Sequence, residues 1–288
     1  MSKTILITGA STGFGRDTAE TLARAGHSVF ASMRDPKIQN RVHSDALQTK
    51  GIEVVELDVT DTQSIEQAVV EVVAKAGRID VLINNAGVAS AGVSEAFTDR
   101  QASALFDVNV IGLHRVTRAV LPTLRSQQDG LIINIGSILG RITFPFFGLY
   151  GASKFAVEAM TDSLRYEVSQ FGVDVVLVQP SAYPTQMYGS ASQPTDAERV
   201  SEYGEVGKIP GAMFQNFMTL FESSNAPNPH DIAETISVLI DTPKGTRPAR
   251  TVAGTSFGAD TLNDATAPIQ SGAIKGLGLE HLETVNLA

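Results

Sequence analysis

Residues 4–15 read TILITGASTGFG. A short apolar run gives way to a turn carrying Gly9, Gly13 and Gly15, and a helical pattern follows from Gly15 to Ala25. Glycines at such a turn let backbone N–H groups approach a phosphate, which also meets the positive N-terminus of the helix behind it. Strand, glycine turn and helix at the start of a βα series form the arrangement a nucleotide site requires. The spacing is G-x-x-x-G-x-G, not the commoner G-x-G-x-x-G.

Outward from this turn the same rhythm repeats. SVFASM, IEVVEL, IDVLIN, GLIINI and VDVVLVQ are short apolar runs, separated by helical patterns near 38–50, 62–76, up to about Ser126, and from about Tyr150 to Phe171. Strands this uniformly apolar lie in a parallel sheet covered on both faces, so the expected fold is a doubly wound α/β sheet of Rossmann type. From 181 to about 225 the rhythm breaks into a segment with Pro, Ser and Gly followed by an apolar helical patch, read as a helical lid over the substrate. A helix near 230–241, a strand at Arg250–Ala253 and a helical tail over about 259–288 complete what is read as a single domain spanning 1–288.

Bulk properties narrow the function. A net charge of −9 disfavours a nucleic-acid partner, which would need clustered Lys and Arg. The absence of cysteine removes thiolate catalysis and disulfides. His27, His43, His114, His230 and His281 are scattered, with no pair at metal-ligand spacing, so no metal is expected. No run is long enough to span a bilayer, and MSKTILITGA leaves no room for a signal sequence, so the expectation is a cytoplasmic protein without membrane attachment.

Residues 149–155 read LYGASKF, which puts Tyr150 and Lys154 one helical turn apart on one face. Alone, such a pair is weak evidence. A rival chemistry is written in GASTG and GTSFG (254–258), both of the G-x-S-x-G form that presents a serine nucleophile. Against a serine hydrolase, Ser11 lies beside the opening strand with nothing upstream to supply an oxyanion donor, and Ser256 follows the regular sheet. Ser11 is better read as a phosphate ligand.

TGASTGFG at 8–15, Asp58, NNAG at 84–87, Asn109 in NVIG, Ser137 in GSILG, Tyr150 to Lys154 as YGASK and PSAYPT at 180–185 together resemble the short-chain dehydrogenase/reductase superfamily in its short form. Within it the resemblance is closest to the 17β-hydroxysteroid dehydrogenase-like and retinol dehydrogenase-like oxidoreductases, in register over residues 3–185. It implies hydride exchange between a nicotinamide cofactor and a carbonyl or alcohol. Tyr150 would be the acid/base, Lys154 its activator, Ser137 the carbonyl-orienting hydroxyl and Asn109 part of a proton relay. A free tyrosine titrates near 10, and a cation close by would lower that value. Cofactor contacts are expected from Gly9, Ser11, Thr12, Gly13, Phe14, Gly15, Arg34, Asp58, Val59, Asn85, Ala86, Gly87, Tyr150, Lys154, Pro180 and Thr185. A homodimer or homotetramer is implied, with helices around 103–126 and 149–171 at the contact.

For the dinucleotide, the position at the end of strand two that would carry an acid for a ribose hydroxyl is Met33, and Arg34 follows to grip a 2′-phosphate. This favours NADP(H). Asp35 keeps NAD(H) open, because a two-residue slip would return an acid to the ribose, and Thr12 adds no basic charge to the turn. Phe144, Phe146 and Phe147 before the tyrosine, and Met213, Phe214, Phe217, Met218 and Phe221 in the lid, point either to core packing or to a bulky apolar ketone, aldehyde or alcohol as substrate. Ser181 stands where the family often has glycine, which suggests a reshaped nicotinamide end. A non-catalytic dinucleotide sensor is the reading from another class, and the intact Ser137, Tyr150 and Lys154 argue against it.

Overall fold

The computed structural model describes residues 2–287. In chain order the elements are β1 (Thr4–Ile7), α1 (Gly13–Arg24), β2 (Ser28–Met33), α2 (Arg41–Gln48), β3 (Glu53–Glu56), α3 (Thr62–Ala76), β4 (Val81–Asn84), α4 (Asp99–Phe106), α5 (Leu113–Gln127), β5 (Gly130–Ile135), α6 (Gly148–Val168) and β6 (Val173–Pro180). Then come α7 (Gln186–Gly189), α8 (Ala197–Glu202), α9 (Ile209–Phe221), α10 (His230–Asp241), β7 (Arg250–Ala253) and α11 (Ala259–Gly276).

All strands run parallel in one seven-stranded sheet of order β3-β2-β1-β4-β5-β6-β7. The chain moves outward from β1 to β3, then returns to place β4 on the other side of β1. The order therefore reverses between β1 and β4, and the crevice beyond their carboxyl ends is where such a sheet receives a ligand.

Period-two alternation sends successive side chains of each strand to opposite faces. Ile5 and Ile7 pack with Leu22 of α1, Leu47 of α2 and Ile232 and Ile236 of α10. Leu6 faces the other way, toward Ile65 and Val72 of α3 and Val116, Val120 and Leu124 of α5. Because both faces are covered, β1, β4, β5 and β6 are buried along their whole length, which is why their sequences are mostly apolar on both faces.

Local signals set the helix ends. Asp61 caps α3 by accepting from the Gln63 N–H at 2.9 Å, and Gly77 closes it at φ +75°. Thr98 and Gln101 form a reciprocal capping box at the start of α4. The long helical stretch expected up to Ser126 is interrupted: residues Asp107–Gly112 form a π-helical turn between α4 and α5. Gly112 at its end has no room for a side chain, since a Cβ there would lie 2.9 Å from Val59.

The segment read as a helical lid holds α7, α8 and α9. On α9, Met213, Phe214, Phe217, Met218 and Phe221 are half-buried on one side, while the rest of the helix is exposed apart from Pro210. The C-terminal tail folds back on the rim of the sheet, where Gln170 donates to the carbonyls of His281 and Thr284 and Val285 is buried. Among the described residues no helix is long and apolar enough to cross a membrane.

Ile83 is fully buried in β4 beside the switch point. Ile83→Ala is expected to lower the unfolding free energy by about 3 kcal/mol in urea titration, the usual cost of an aliphatic truncation in a packed core.

Candidate active site

The glycine turn is held from the neighbouring strand end. The Thr8 hydroxyl accepts from the backbone N–H groups of Asn85 and Ala86, both at 3.0 Å, and the Asn85 amide donates back to the carbonyls of Thr8 (2.9 Å) and Gly9 (3.0 Å). Gly9 and Gly13 take φ +67° and +56°, which glycine adopts without strain. At Gly15 the demand is for space: a Cβ would lie 2.4 Å from the Asn85 amide nitrogen and 2.6 Å from the Gly9 carbonyl oxygen. The turn is thus a backbone cradle ahead of the α1 N-terminus, the shape a dinucleotide pyrophosphate needs.

A crevice runs along this cradle. Gly9, Ser11, Thr12, Gly13 and Phe14 line it from the turn, Met33, Arg34, Asp58 and Val59 from β2 and the loop after β3, and Asn85, Ala86, Gly87 and Thr185 from the remaining sides. Gly15 lies under the turn and not on the crevice wall. Asp58 spends its carboxylate locally, accepting from the N–H and hydroxyl of Thr60 at 2.8 and 2.7 Å. Strand two ends at Met33. Arg34 is exposed and makes no ion pair among the described residues, whereas the Asp35 carboxylate accepts from the N–H groups of Ile38 and Gln39, both at 3.2 Å.

Phe14, Asn85, Thr185 and Met187 also border a second cavity, so the crevice continues into it. Here Ser137, just past β5, meets Tyr150 and Lys154 on α6, with Pro180 at the end of β6. Helix α6 is fixed from behind, one turn beyond Lys154: Glu158 accepts from Gln179 at 2.5 Å and from Arg250 at 2.7 Å. The Lys154 ammonium donates to the Ile135 carbonyl at 2.9 Å and sits 5.6 Å from the centre of the Tyr150 ring.

The expected acidification of the tyrosine is not met in the free protein. Burial pushes the Tyr150 hydroxyl up to about 12, and the neighbouring Ser137 hydroxyl, which favours the phenolate, only partly opposes this. Burial also brings Lys154 down to about 8. A desolvated ammonium held over the ring and tied to a carbonyl does not offset the cost of burying a phenolate. Tyr150 is therefore a proton-carrying group at neutral pH.

Asn109, expected as part of a proton relay, lies buried in the π-helical turn. Its amide is fully engaged, accepting from the Val88 N–H at 2.8 Å and donating to the Val88 carbonyl (2.9 Å) and the Ser153 hydroxyl (3.1 Å). It ties the loop after β4 to α6, and its π-helical setting is the kind of distortion that clusters at functional sites. Ser181 does not reshape the backbone through strain: its φ is not positive, and its N–H donates to Ala253 at 2.9 Å in continuation of the sheet. The glycine demand falls on Gly254 instead, at φ +84°, where a Cβ would meet the Tyr183 hydroxyl at 2.8 Å and the Ser181 Cβ at 3.1 Å.

Both groups of phenylalanines reach the cavity: Phe144, Phe146 and Phe147 from one side, Phe214 and Phe217 from α9 on another. Sequence reading missed Thr8, Tyr188 and Phe257. Phe146 and Phe257 hold positive φ values of 68° and 50°, unusual for bulky residues, and nothing in the letters around them announces it. No histidine lines either cavity among the described residues, so Ser11 has no base beside it.

Residues 3–196 match the family described as short chain dehydrogenase. A 3-ketodihydrosphingosine reductase of Bacteroides thetaiotaomicron is 39% identical over 198 residues, covering 69% of this chain and 68% of that protein. Human 17-beta-hydroxysteroid dehydrogenase type 1 is 31% identical over 258 residues, covering 85% and 76%. Among solved structures, a variant of actinorhodin polyketide ketoreductase determined with NADPH superposes with a TM-score of 0.72 at 27% identity, covering 90% of this chain and 97% of that one.

A depressed lysine has a pH signature. Above its folded value near 8 the folded chain releases a proton that the unfolded chain keeps up to 10.5, so folding becomes more favourable as pH rises through that window. Unfolding free energy of the wild type relative to Lys154→Met is expected to be flat below pH 8 and to climb by roughly 3 kcal/mol toward pH 10.5. Denaturant titrations across this range read the difference, and a flat profile contradicts a desolvated ammonium.

Proposed function

The chain belongs to the short chain dehydrogenase family, and from that premise we propose that it is an NADP(H)-dependent oxidoreductase interconverting a bulky apolar ketone or aldehyde and its alcohol. The observation that carries the reading is the meeting of Ser137, Tyr150 and Lys154 where the glycine-cradled crevice opens into an apolar cavity.

Gly9, Ser11, Thr12, Gly13 and Asn85–Gly87 would hold the dinucleotide along the crevice, with Lys154 near its inner ribose and Thr185 and Pro180 near its nicotinamide. When bound, the cofactor supplies or accepts the hydride at the substrate carbon. In reduction, Tyr150 gives its proton to the carbonyl oxygen, and the high hydroxyl value keeps that proton available at neutral pH. Ser137 donates to the same oxygen and orients it. Lys154 balances the phenolate left on Tyr150. In oxidation the same groups act in reverse, which demands that Tyr150 be deprotonated and makes that direction favour alkaline pH.

Preference for the 2′-phosphate form is supported by two facts. Asp35 spends its carboxylate on its own turn, and Arg34 stands free on the crevice wall with no acid at Met33. NAD(H) use is the alternative. A bulky neutral substrate is supported by the lining, in which Lys154 is the one charged side chain among the described residues and phenylalanines dominate. The relative named for a hydroxysteroid agrees with that class. We also propose self-association through α5 and α6, supported by the exposure of Ile111 and Phe155 beside them.

Two measurements test the reading. In isothermal titration, Arg34→Ala is expected to weaken NADPH binding about tenfold while NADH binding changes little, the loss of one charge-assisted contact. Equal affinity of the wild type for both nucleotides contradicts the preference. Tyr150→Phe is expected to bind NADPH normally and to lose roughly a hundredfold or more in kcat, the usual scale of a lost general acid. Unchanged turnover removes Tyr150 from its role.

A further inference from the structure

Tyr188 lies on α7, three residues beyond Thr185, and borders the same cavity as Ser137 and Tyr150. Its ring is packed against two aromatic rings of α9, Phe217 at 5.6 Å and Phe221 at 5.0 Å, which are themselves stacked 6.1 Å apart. This packing holds the ring in place against α9. Among the described residues that hydroxyl has no hydrogen-bond partner, although Tyr183 finds Asp231 and Tyr203 finds Glu95. Burial, and the nearness of Tyr150, push the Tyr188 hydroxyl well above the ordinary tyrosine range. It is a standing donor, close to the reacting centre, on an otherwise apolar wall.

Once an apolar substrate fills the cavity and displaces solvent, a donor there costs free energy unless something accepts from it. The reacting carbonyl oxygen is already served by Tyr150 and Ser137, so a partner for Tyr188 has to be another atom of the substrate. That atom is neutral, because no cation besides Lys154 lines the cavity to receive an acid. We propose that Tyr188 donates a hydrogen bond to a second oxygen of the substrate, separate from the reacting carbonyl. The site then takes neutral apolar carbonyl compounds bearing such an acceptor (keto esters, diketones or hydroxyketones) in preference to plain ketones. The inference rests on the oxidoreductase reading of this cavity and narrows its substrate class.

The test is a two-by-two kinetic comparison of wild type and Tyr188→Phe, using ethyl benzoylacetate and hexanophenone with NADPH. The two ketones match in ring and chain length and differ in the ester oxygens. The variant keeps the aromatic ring, so packing against Phe217 and Phe221 is retained. For the keto ester, kcat/KM is expected to fall about three- to tenfold, the worth of one neutral hydrogen bond, while for hexanophenone it stays within about twofold. An equal loss for both ketones, or no loss for either, overturns the role of Tyr188 while hexanophenone turnover by the wild type leaves the oxidoreductase reading standing. Failure of the wild type to reduce either ketone with NADPH or NADH contradicts the underlying reading, and this inference with it.

Discussion

Four hydrogen bonds between Thr8, Gly9, Asn85 and Ala86 hold the ends of β1 and β4 together at the point where the strand order reverses. The arrangement satisfies backbone groups that the sheet ladder no longer reaches, and it fixes the glycine turn against the loop after β4. Everything functional lies downstream of that clamp. The α1 N-terminus faces the crevice because the turn is held, and Asn109 can tie Val88 to α6 because the loop after Asn85 is held. Helix α6 in turn carries Tyr150 and Lys154 to the crevice's inner end.

The second constraint is desolvation. Tyr150 and Lys154 lie in a cavity lined mainly by carbon, where each loses hydration in its charged form. Their values move in the direction that neutralises both, toward a protonated phenol and a more readily neutralised amine. A free protein in this state is arranged to donate a proton, not to accept one. Charge brought into the crevice by a ligand would act on both groups, so the free values describe the starting point of the reaction and not its course.

Much of this was legible because strands and caps are local. The helical pattern read over 62–76 is α3, whose ends Asp61 and Gly77 set, and the end of β2 at Met33 followed from an apolar run stopping at Arg34. The glycine turn announced itself because only glycine satisfies both its dihedrals and its crowding. What escaped was tertiary. The π turn at Asp107–Gly112 keeps the apolar periodicity of the helices around it, so no letter marks the extra residue. In the segment read as a lid, the spacing of Met213, Phe214, Phe217, Met218 and Phe221 pointed to a helix and α9 forms there, whereas nothing in its Pro, Ser and Gly marked α7 and α8. Tyr150 was expected to be acidified because its neighbour in sequence is a lysine, but burial, which only the folded chain shows, dominates. Gly254 and Phe257 sit far along the chain from the motifs they complete, Gly254 close against Tyr183 and Ser181 and Phe257 edge-on to Phe144.

The central claim is that the cavity beside Tyr150 passes hydride directly to a carbonyl carbon. The most direct measurement is isotopic. The enzyme is incubated with hexanophenone and NADPH carrying deuterium at the transferable nicotinamide position, and the alcohol formed is examined by mass spectrometry and proton NMR. The account predicts deuterium on the carbinol carbon with the wild type, and no alcohol beyond background with Tyr150→Phe. Alcohol formed without carbon-bound deuterium, or formed equally by the variant, would contradict it.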